Sequence, residues 1–380
     1  MDLIYFDNAA ATKPLQSVNK NIEYINREFY YNPSASHKAG TEAEKLLESS
    51  RNNIASFIGT KQSELIFTSG GTESINLALR GAYKARDRKR KRIISTRTEH
   101  SAAFETLIDL SKEGAEINFS NVDHNGIADI DSIMSALSDD TLMVSLTHVN
   151  NETGVINPVK NIASEIKAYD PGIIIHIDAV QSFGKFSLSN EFTMVDLFSC
   201  SAHKTHGPRG TGILYIKRGT RLAPILTGGG QERDLRPGTV NLASIYAFGE
   251  LISYISSKQK DNFIKVTNVK NMFLKMMKES GFRYETPYTD NTSPYILNIV
   301  FPGIKGEILM HHLEEKNIII SAGAACSSKK KTNRVLEGYG LSKETAGSSV
   351  RISFSEFNTT QETEVLYKAL CEILPKLSHI

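Results

Sequence analysis

The chain is poor in cysteine. Among its 380 residues only Cys200, Cys326 and Cys371 occur; no two form a Cys-x-x-Cys pair, so a disulfide framework is excluded, and an odd number of free thiols suits a reducing compartment. The opening MDLIYFDNAA has neither a basic head nor a long apolar stretch, and no later run reaches membrane-spanning length. A cytoplasmic protein is expected, with no membrane partner. Basic and acidic residues nearly balance, 44 against 42, for a net charge of +2, which argues against a nucleic-acid-binding surface. The run Lys84 to Arg92 is locally basic; such runs are mostly solvated helix ends, and it is given no role. A hydrophobic content of 40% and a charged content of 23% describe an ordinary globular protein, and the length suffices for one large core and a smaller second one.

The stretch Val195 to Gly212, VDLFSCSAHKTHGPRGTG, organises the rest. Val195, Leu197 and Phe198 read as a strand that stops at Ser201, His203 and Lys204, and the glycines at 207, 210 and 212 argue against an immediate helix. A lysine at a strand end can act as a Schiff-base nucleophile once its ammonium is partly desolvated. Most lysines are solvated surface residues, but a second stretch weighs against that here. Residues 172–184, GIIIHIDAVQSFG, form a β-branched run ending in Asp178 and Gln181. A carboxylate at the end of a buried parallel strand reads as serving a ligand. Pyridoxal phosphate requires this pair, a lysine for the Schiff base and a carboxylate that keeps the pyridine nitrogen protonated.

Other strand ends add to the pattern. In LIFTSGGTESINLALRGA a strand runs through Gly70 and Gly71 into a helix near Thr72, and a helix N-terminus with free N–H groups is an anion site. Ile93 to Ser95 leads to His100 in TEHSAA, and Leu142 to Val149 leads to Asn151 in HVNNETG. Ligands collect at such carboxyl ends in open α/β sheets. Near the C-terminus, Cys326 lies in AGAACSSKKKTNR, a glycine-, serine- and lysine-rich loop where Lys329, Lys330 and Lys331 would favour its thiolate. Cys200 and Cys371 sit in apolar contexts typical of buried, inert thiols.

HIDAVQSFG, with SAHK placing Lys204 26 residues after Asp178, resembles the cysteine desulfurases of the NifS/IscS type, within the class-V aminotransferase family of fold-type-I pyridoxal-phosphate enzymes. IYFDNAAATKP, NPSASHKAG, the Cys326 loop and SSVRISF extend the likeness over nearly the whole chain. Lys13, Cys200 and Glu356 depart from the usual pattern. The resemblance implies an α/β fold-type-I transferase. Its large domain would carry a mostly parallel seven-stranded sheet, with a smaller C-terminal α/β domain beside it. The expected division is an N-terminal arm at 1–14, a large domain at 15–257 and a small domain at 258–380.

The implied activity converts L-cysteine to L-alanine and leaves a persulfide on Cys326. In that reading Lys204 carries the cofactor and takes the substrate's α proton, His100 stacks on the cofactor ring and moves protons, and Asp178 pairs with the pyridine nitrogen. Gln181 tunes the ring oxygen, while Gly71, Thr72, Ser201 and His203 complete the cofactor site. Asn151 touches both cofactor and substrate, and Arg351 grips the substrate carboxylate. Thr239, in the glycine-rich loop Gly228 to Thr239, would reach the phosphate of a neighbouring subunit, so a homodimer is expected. No resident metal is expected, Cys326 being at most a transient iron–sulfur ligand. Sulfur would pass to an acceptor such as an iron–sulfur scaffold or a tRNA-thiolation enzyme. The rivals are a selenocysteine lyase, an aminotransferase, which would not need Cys326, and a non-catalytic scaffold, against which the intact Lys204, Asp178 and Cys326 count.

Overall fold

The computed structural model describes residues 3–288, 290–322 and 333–377. Seven strands form the main sheet: β2 (Leu65–Thr68), β3 (Arg92–Thr96), β4 (Glu116–Ser120), β5 (Thr141–Thr147), β6 (Ile174–Asp178), β7 (Leu197–Ser201) and β8 (Gly212–Ile216). Their spatial order is β2-β8-β7-β6-β5-β3-β4, with β8 antiparallel to both neighbours and the remaining pairs parallel. The mostly parallel seven-stranded sheet expected from the sequence is therefore present. β5 and β7 are buried along their whole lengths, whereas β4, at the edge, exposes alternate residues. That difference follows from position, since a central parallel strand is covered on both faces.

Helices α3 (Gly71–Ala85), α4 (Ser101–Lys112), α5 (Ile130–Ala136) and α6 (Val159–Tyr169) alternate with these strands. Helix α2 (Lys38–Ile58) starts with the His37 ring accepting from the Gly40 N–H at 3.0 Å and stops at Gly59, whose φ of 80° suits a residue without a Cβ. It packs with α1 (Gln16–Glu28) against α7 (Leu242–Glu279). Helix α1 was not anticipated, although Val18, Ile22 and Ile25 repeat at helical spacing.

A second unit holds an antiparallel sheet ordered β11-β12-β9, from Ser321–Ala322, Ser349–Ser353 and Ile296–Val300. Residues Ile318 to Ser321 read as one strand in the sequence. The structure breaks them at Ile320, because β10 (Ile318–Ile319) pairs with β1 (Ile4–Tyr5) while β11 pairs with β12. Helix α7 runs through residues 257 and 258 without interruption. Phe248, Leu251 and Ile255 on its first half join the large core, and Val266, Phe273 and Met277 on its second half join the smaller one.

The Gly228 to Thr239 segment has no apolar period, and its anchor is polar: Glu232 is buried, and its carboxylate takes a two-pronged contact from Arg51, at 2.6 and 3.0 Å, plus the Phe67 N–H at 2.7 Å. Arg51 lies 4.6 Å from the centre of the Phe67 ring. Glu232, Arg233 and Asp234 all have left-handed φ values of 46–59°, each costing on the order of 1 kcal/mol or more. The ion pair holds this strained turn in place. Glu232→Ala would leave the Arg51 guanidinium buried without its counter-ion and should cost about 3 kcal/mol. Urea unfolding of the two proteins measures this, and a loss below about 1 kcal/mol would show that the pair does not hold the turn.

Candidate functional site

Parallel strands deliver their carboxyl ends to one edge, and the polar residues singled out in the sequence follow those ends: Gly71 and Thr72 after β2, His100 after β3, Asn151 after β5, Asp178 and Gln181 at and after β6, Ser201, His203 and Lys204 at and after β7. Together with Arg351 from β12 they line one cavity of about 290 Å3. The carbonyl-bearing residues Ala9 and Ala10 close another wall. Thr239 does not line it and is exposed. Cys326 and its three lysines lie outside the described residues.

The Lys204 ammonium donates to the carbonyls of Ala9 and Ala10, both at 2.7 Å. Asp178 is buried, and its carboxylate accepts the Val180 N–H at 2.9 Å. Burial pushes this carboxyl up to about 6, against the pull of the Val180 N–H and Lys204; a cationic ring nitrogen at this place would restore the anion. Gln181 donates to the Ala9 carbonyl at 2.9 Å. His100 caps α4, its Nδ1 accepting the Ala102 N–H at 3.1 Å, so the neutral ring carries its hydrogen on Nε2. Burial, aided by Lys204, Arg334 and Arg351, lowers His100 to about 4. His203 is held to about 4 by burial and by Lys204, Arg209 and Lys185, with Nδ1 2.7 Å from the Ser201 hydroxyl.

At the first turn of α3 a Cβ on Gly71 would stand 2.6 Å from Val180. Glycine is what lets this helix end approach the 178–181 turn, and the amides there, with Thr72, Ser201 and His203, make a donor set for a phosphate. Arg351 was expected to grip the substrate carboxylate. Its guanidinium lies between two acids: it donates to Asp7 at 2.9 Å, to Ser321 at 3.2 Å and to the Asn151 carbonyl at 2.9 Å, with Glu152 at 3.5 Å. The set as a whole fits pyridoxal phosphate, with an amine, a buried carboxylate and an anion-binding helix end around one cavity.

Three neighbouring groups escaped the sequence reading. Glu99 is fully buried, and burial raises it to about 8, so it keeps its proton at neutral pH beside Asp178. Arg334 donates to the carbonyls of Arg97 and Glu99 and lies over the Phe104 ring at 3.9 Å. Lys185 is buried behind Gln181. The only signal for Glu99 was a charged residue between a strand and a helix; Arg334 carried none. Cys200 is buried as expected, its thiol raised by burial, but Cys371 is half-buried.

Residues 4–366 match the family described as "Aminotransferase class-V". The chain belongs to that family. Among its relatives, a "NifS/IcsS protein homolog" from Lactobacillus delbrueckii subsp. bulgaricus is 39% identical and covers 100% of this chain and 99% of its own. "Cysteine desulfurase IscS" from Dictyoglomus turgidum is 35% identical, covering 99% and 96%. A solved structure titled "NIFS-LIKE PROTEIN" superposes with a TM-score of 0.92 at 32% identity, over 98% of this chain and 100% of that one. Class-V aminotransferase membership accords with the fit of the cavity to pyridoxal phosphate.

The histidine environment is open to direct measurement. In selectively labelled free protein, NMR titration should give His100 and His203 midpoints near pH 4, and values near 6.5 would mean a water-filled site. Below pH 6.5 the unfolded chain charges these rings while the folded one does not, so each withdraws stability as pH falls from 6.5 towards 4.

Proposed function

We propose that this class-V aminotransferase family member is a pyridoxal-phosphate-dependent cysteine desulfurase that converts L-cysteine to L-alanine. The observation that carries the reading is the one cavity that Lys204, Asp178, His100 and Arg351 line together. The names of the full-length relatives support the choice of cysteine.

In this reading Asp178 holds the pyridine nitrogen, and Gln181 donates to the ring oxygen. The first turn of α3, with Thr72, Ser201 and His203, holds the phosphate, and Lys204 binds the aldehyde carbon. The bound cofactor supplies an electron sink that weakens bonds at the substrate α-carbon. Lys204 is the base for the α proton, and the Ala9 and Ala10 carbonyls hold its amine at the cavity wall. His100, kept neutral, can carry a proton on Nε2. Asn151 and Arg351 receive the substrate carboxylate, which enters beside the acids Asp7 and Glu152. Cys326 is assigned from its sequence motif alone: its thiolate attacks the substrate sulfur, an S–S bond forms as the C–S bond breaks, and the carbon gains the electron pair and then a proton to give alanine. The exposure of Thr239 away from its own cavity supports a homodimer in which it serves the neighbour. Sulfur then passes, in the cytoplasm, to an acceptor such as an iron–sulfur scaffold or a tRNA-thiolation enzyme.

Protein loaded with pyridoxal phosphate should be yellow, and borohydride followed by peptide mass spectrometry should find the cofactor on Lys204. Lys204→Ala should lower alanine release from cysteine by about a hundredfold or more. Cys326→Ser should keep the colour yet release no alanine, which an aminotransferase would not show. Unchanged colour in Lys204→Ala would sink the assignment.

A further inference from the structure

Between the end of β3 and His100, which caps α4, lie three residues outside regular structure, Arg97 to Glu99. The carbonyls of such a turn need donors from elsewhere. Here side chains distant in the chain supply them. Arg334 donates to the Arg97 carbonyl through Nη1 and to the Glu99 carbonyl through Nη2, the second at 2.7 Å, and Asn150 donates to the Thr98 carbonyl at 2.9 Å. Three successive carbonyls leading to His100 are thus held by two side chains, and Arg334 takes the outer two.

The grip continues on the other side of His100. The Arg334 guanidinium lies 3.9 Å from the centre of the Phe104 ring in α4, Phe104 stacks on Phe119 of β4 with ring centres 5.2 Å apart, and the Arg97 guanidinium lies 5.0 Å from Phe119. Two cations and two rings form one stack. The Phe104 N–H in turn donates to the His100 carbonyl at 3.0 Å. Arg334 begins a short helix, Arg334–Gly338, whose other end rests on the same turn: a Cβ on Gly338 would stand 3.2 Å from the Arg97 carbonyl. A guanidinium presents its donors in a rigid planar fork, so this one side chain fixes the spacing of two carbonyls two residues apart, which a flexible ammonium cannot do. The direction in which the chain enters α4 is set by that spacing. With it goes the orientation of the His100 ring, whose Nδ1 accepts the Ala102 N–H and leaves Nε2 to carry the hydrogen.

We propose that Arg334 is a positioning residue for His100: its fork fixes the Arg97 to Glu99 turn and its face braces Phe104, so that the His100 ring is held in one orientation and one tautomer. The proposal rests on the reading of His100 as the proton carrier. Arg334 itself is not among the residues that line the cavity. It acts from behind, on the backbone before the histidine and on the ring after it.

The ring nitrogens of His100 report on this without turnover. In full-length protein isotope-labelled in its histidine rings, NMR at neutral pH should show two well-separated His100 nitrogen signals, as a single Nε2–H tautomer gives, and in Arg334→Gln they should converge towards a tautomer average. Arg334→Lys, which keeps the charge but not the fork, should converge likewise, and it serves if the glutamine variant does not fold. In protein loaded with pyridoxal phosphate, Arg334→Gln should lower kcat for alanine release about tenfold, a part of what a positioned proton carrier supplies, and change KM less than about twofold. In a His100→Gln background the same substitution should lower kcat less than about twofold, because the group it acts through is gone. Wild-type His100 signals in either folded variant, or an equal loss of kcat in the His100→Gln background, overturn the proposal. If His100→Gln alone releases alanine at the wild-type rate, the proton-carrier reading fails instead, and the ring signals still decide whether Arg334 holds the histidine.

Discussion

Everything in the site depends on how residues 4–15 are tied down. This strap supplies the Ala9 and Ala10 carbonyls that hold Lys204, and it is bound to both units at once. Ile4 and Phe6 donate to Asn317 and Ile319, and Ser353 donates to the Phe6 carbonyl. The Ala9 N–H reaches the Ser353 hydroxyl at 2.9 Å, and Asn8 the Ser353 carbonyl at 2.9 Å. On the other side Thr12 donates to the His203 carbonyl and receives the His206 N–H. The strap thus sets where the half-buried Lys204 ammonium is held, through the two carbonyls it donates to.

An economy of charge runs through the cavity. Asp178 is kept near its titration point, His100 and His203 are kept neutral, and Glu99 is kept protonated, all chiefly by burial. Each is poised for a change that a ligand's own charge would bring. Arg351 differs because it already has acids on two sides, Asp7 and Glu152. A substrate carboxylate would enter an occupied network, and binding there exchanges partners for one another more than it creates new contacts.

Much of this was legible in the sequence because the informative signals are local. Apolar runs broken by Gly70-Gly71, by TEH, by HVNN and by SAHK mark strand ends, and a mostly parallel sheet gathers its ends without further instruction. Element bounds along the large sheet were accordingly read to within a few residues. The unread parts are those whose partners are distant in the chain. Glu232 finds Arg51 across 181 residues, so a segment polar throughout gave no sign of being anchored. Arg351 meets Asp7 across 344, and the pattern SSVRISF cannot reveal that its arginine is already paired. Lys185, four residues beyond Gln181, was in plain view, but nothing local tells a buried lysine from a solvated one.

The strap also sets an order of events for the folding chain. Asn8 bonds to Asn358 and Ser353 across 350 and 345 residues, among the most non-local contacts in the molecule, and closing so long a loop carries a late entropic cost. The large sheet and its flanking helices can assemble around nearby partners as synthesis proceeds. Residues 5–10 cannot find their places until β12 (Ser349–Ser353) and the turn that follows it, to Asn358, exist. Lys204 is therefore made midway through the chain and then waits, facing water, until the earliest segment is captured by one of the latest, so a nascent or truncated chain can hold most of a core while still lacking a wall of its cavity.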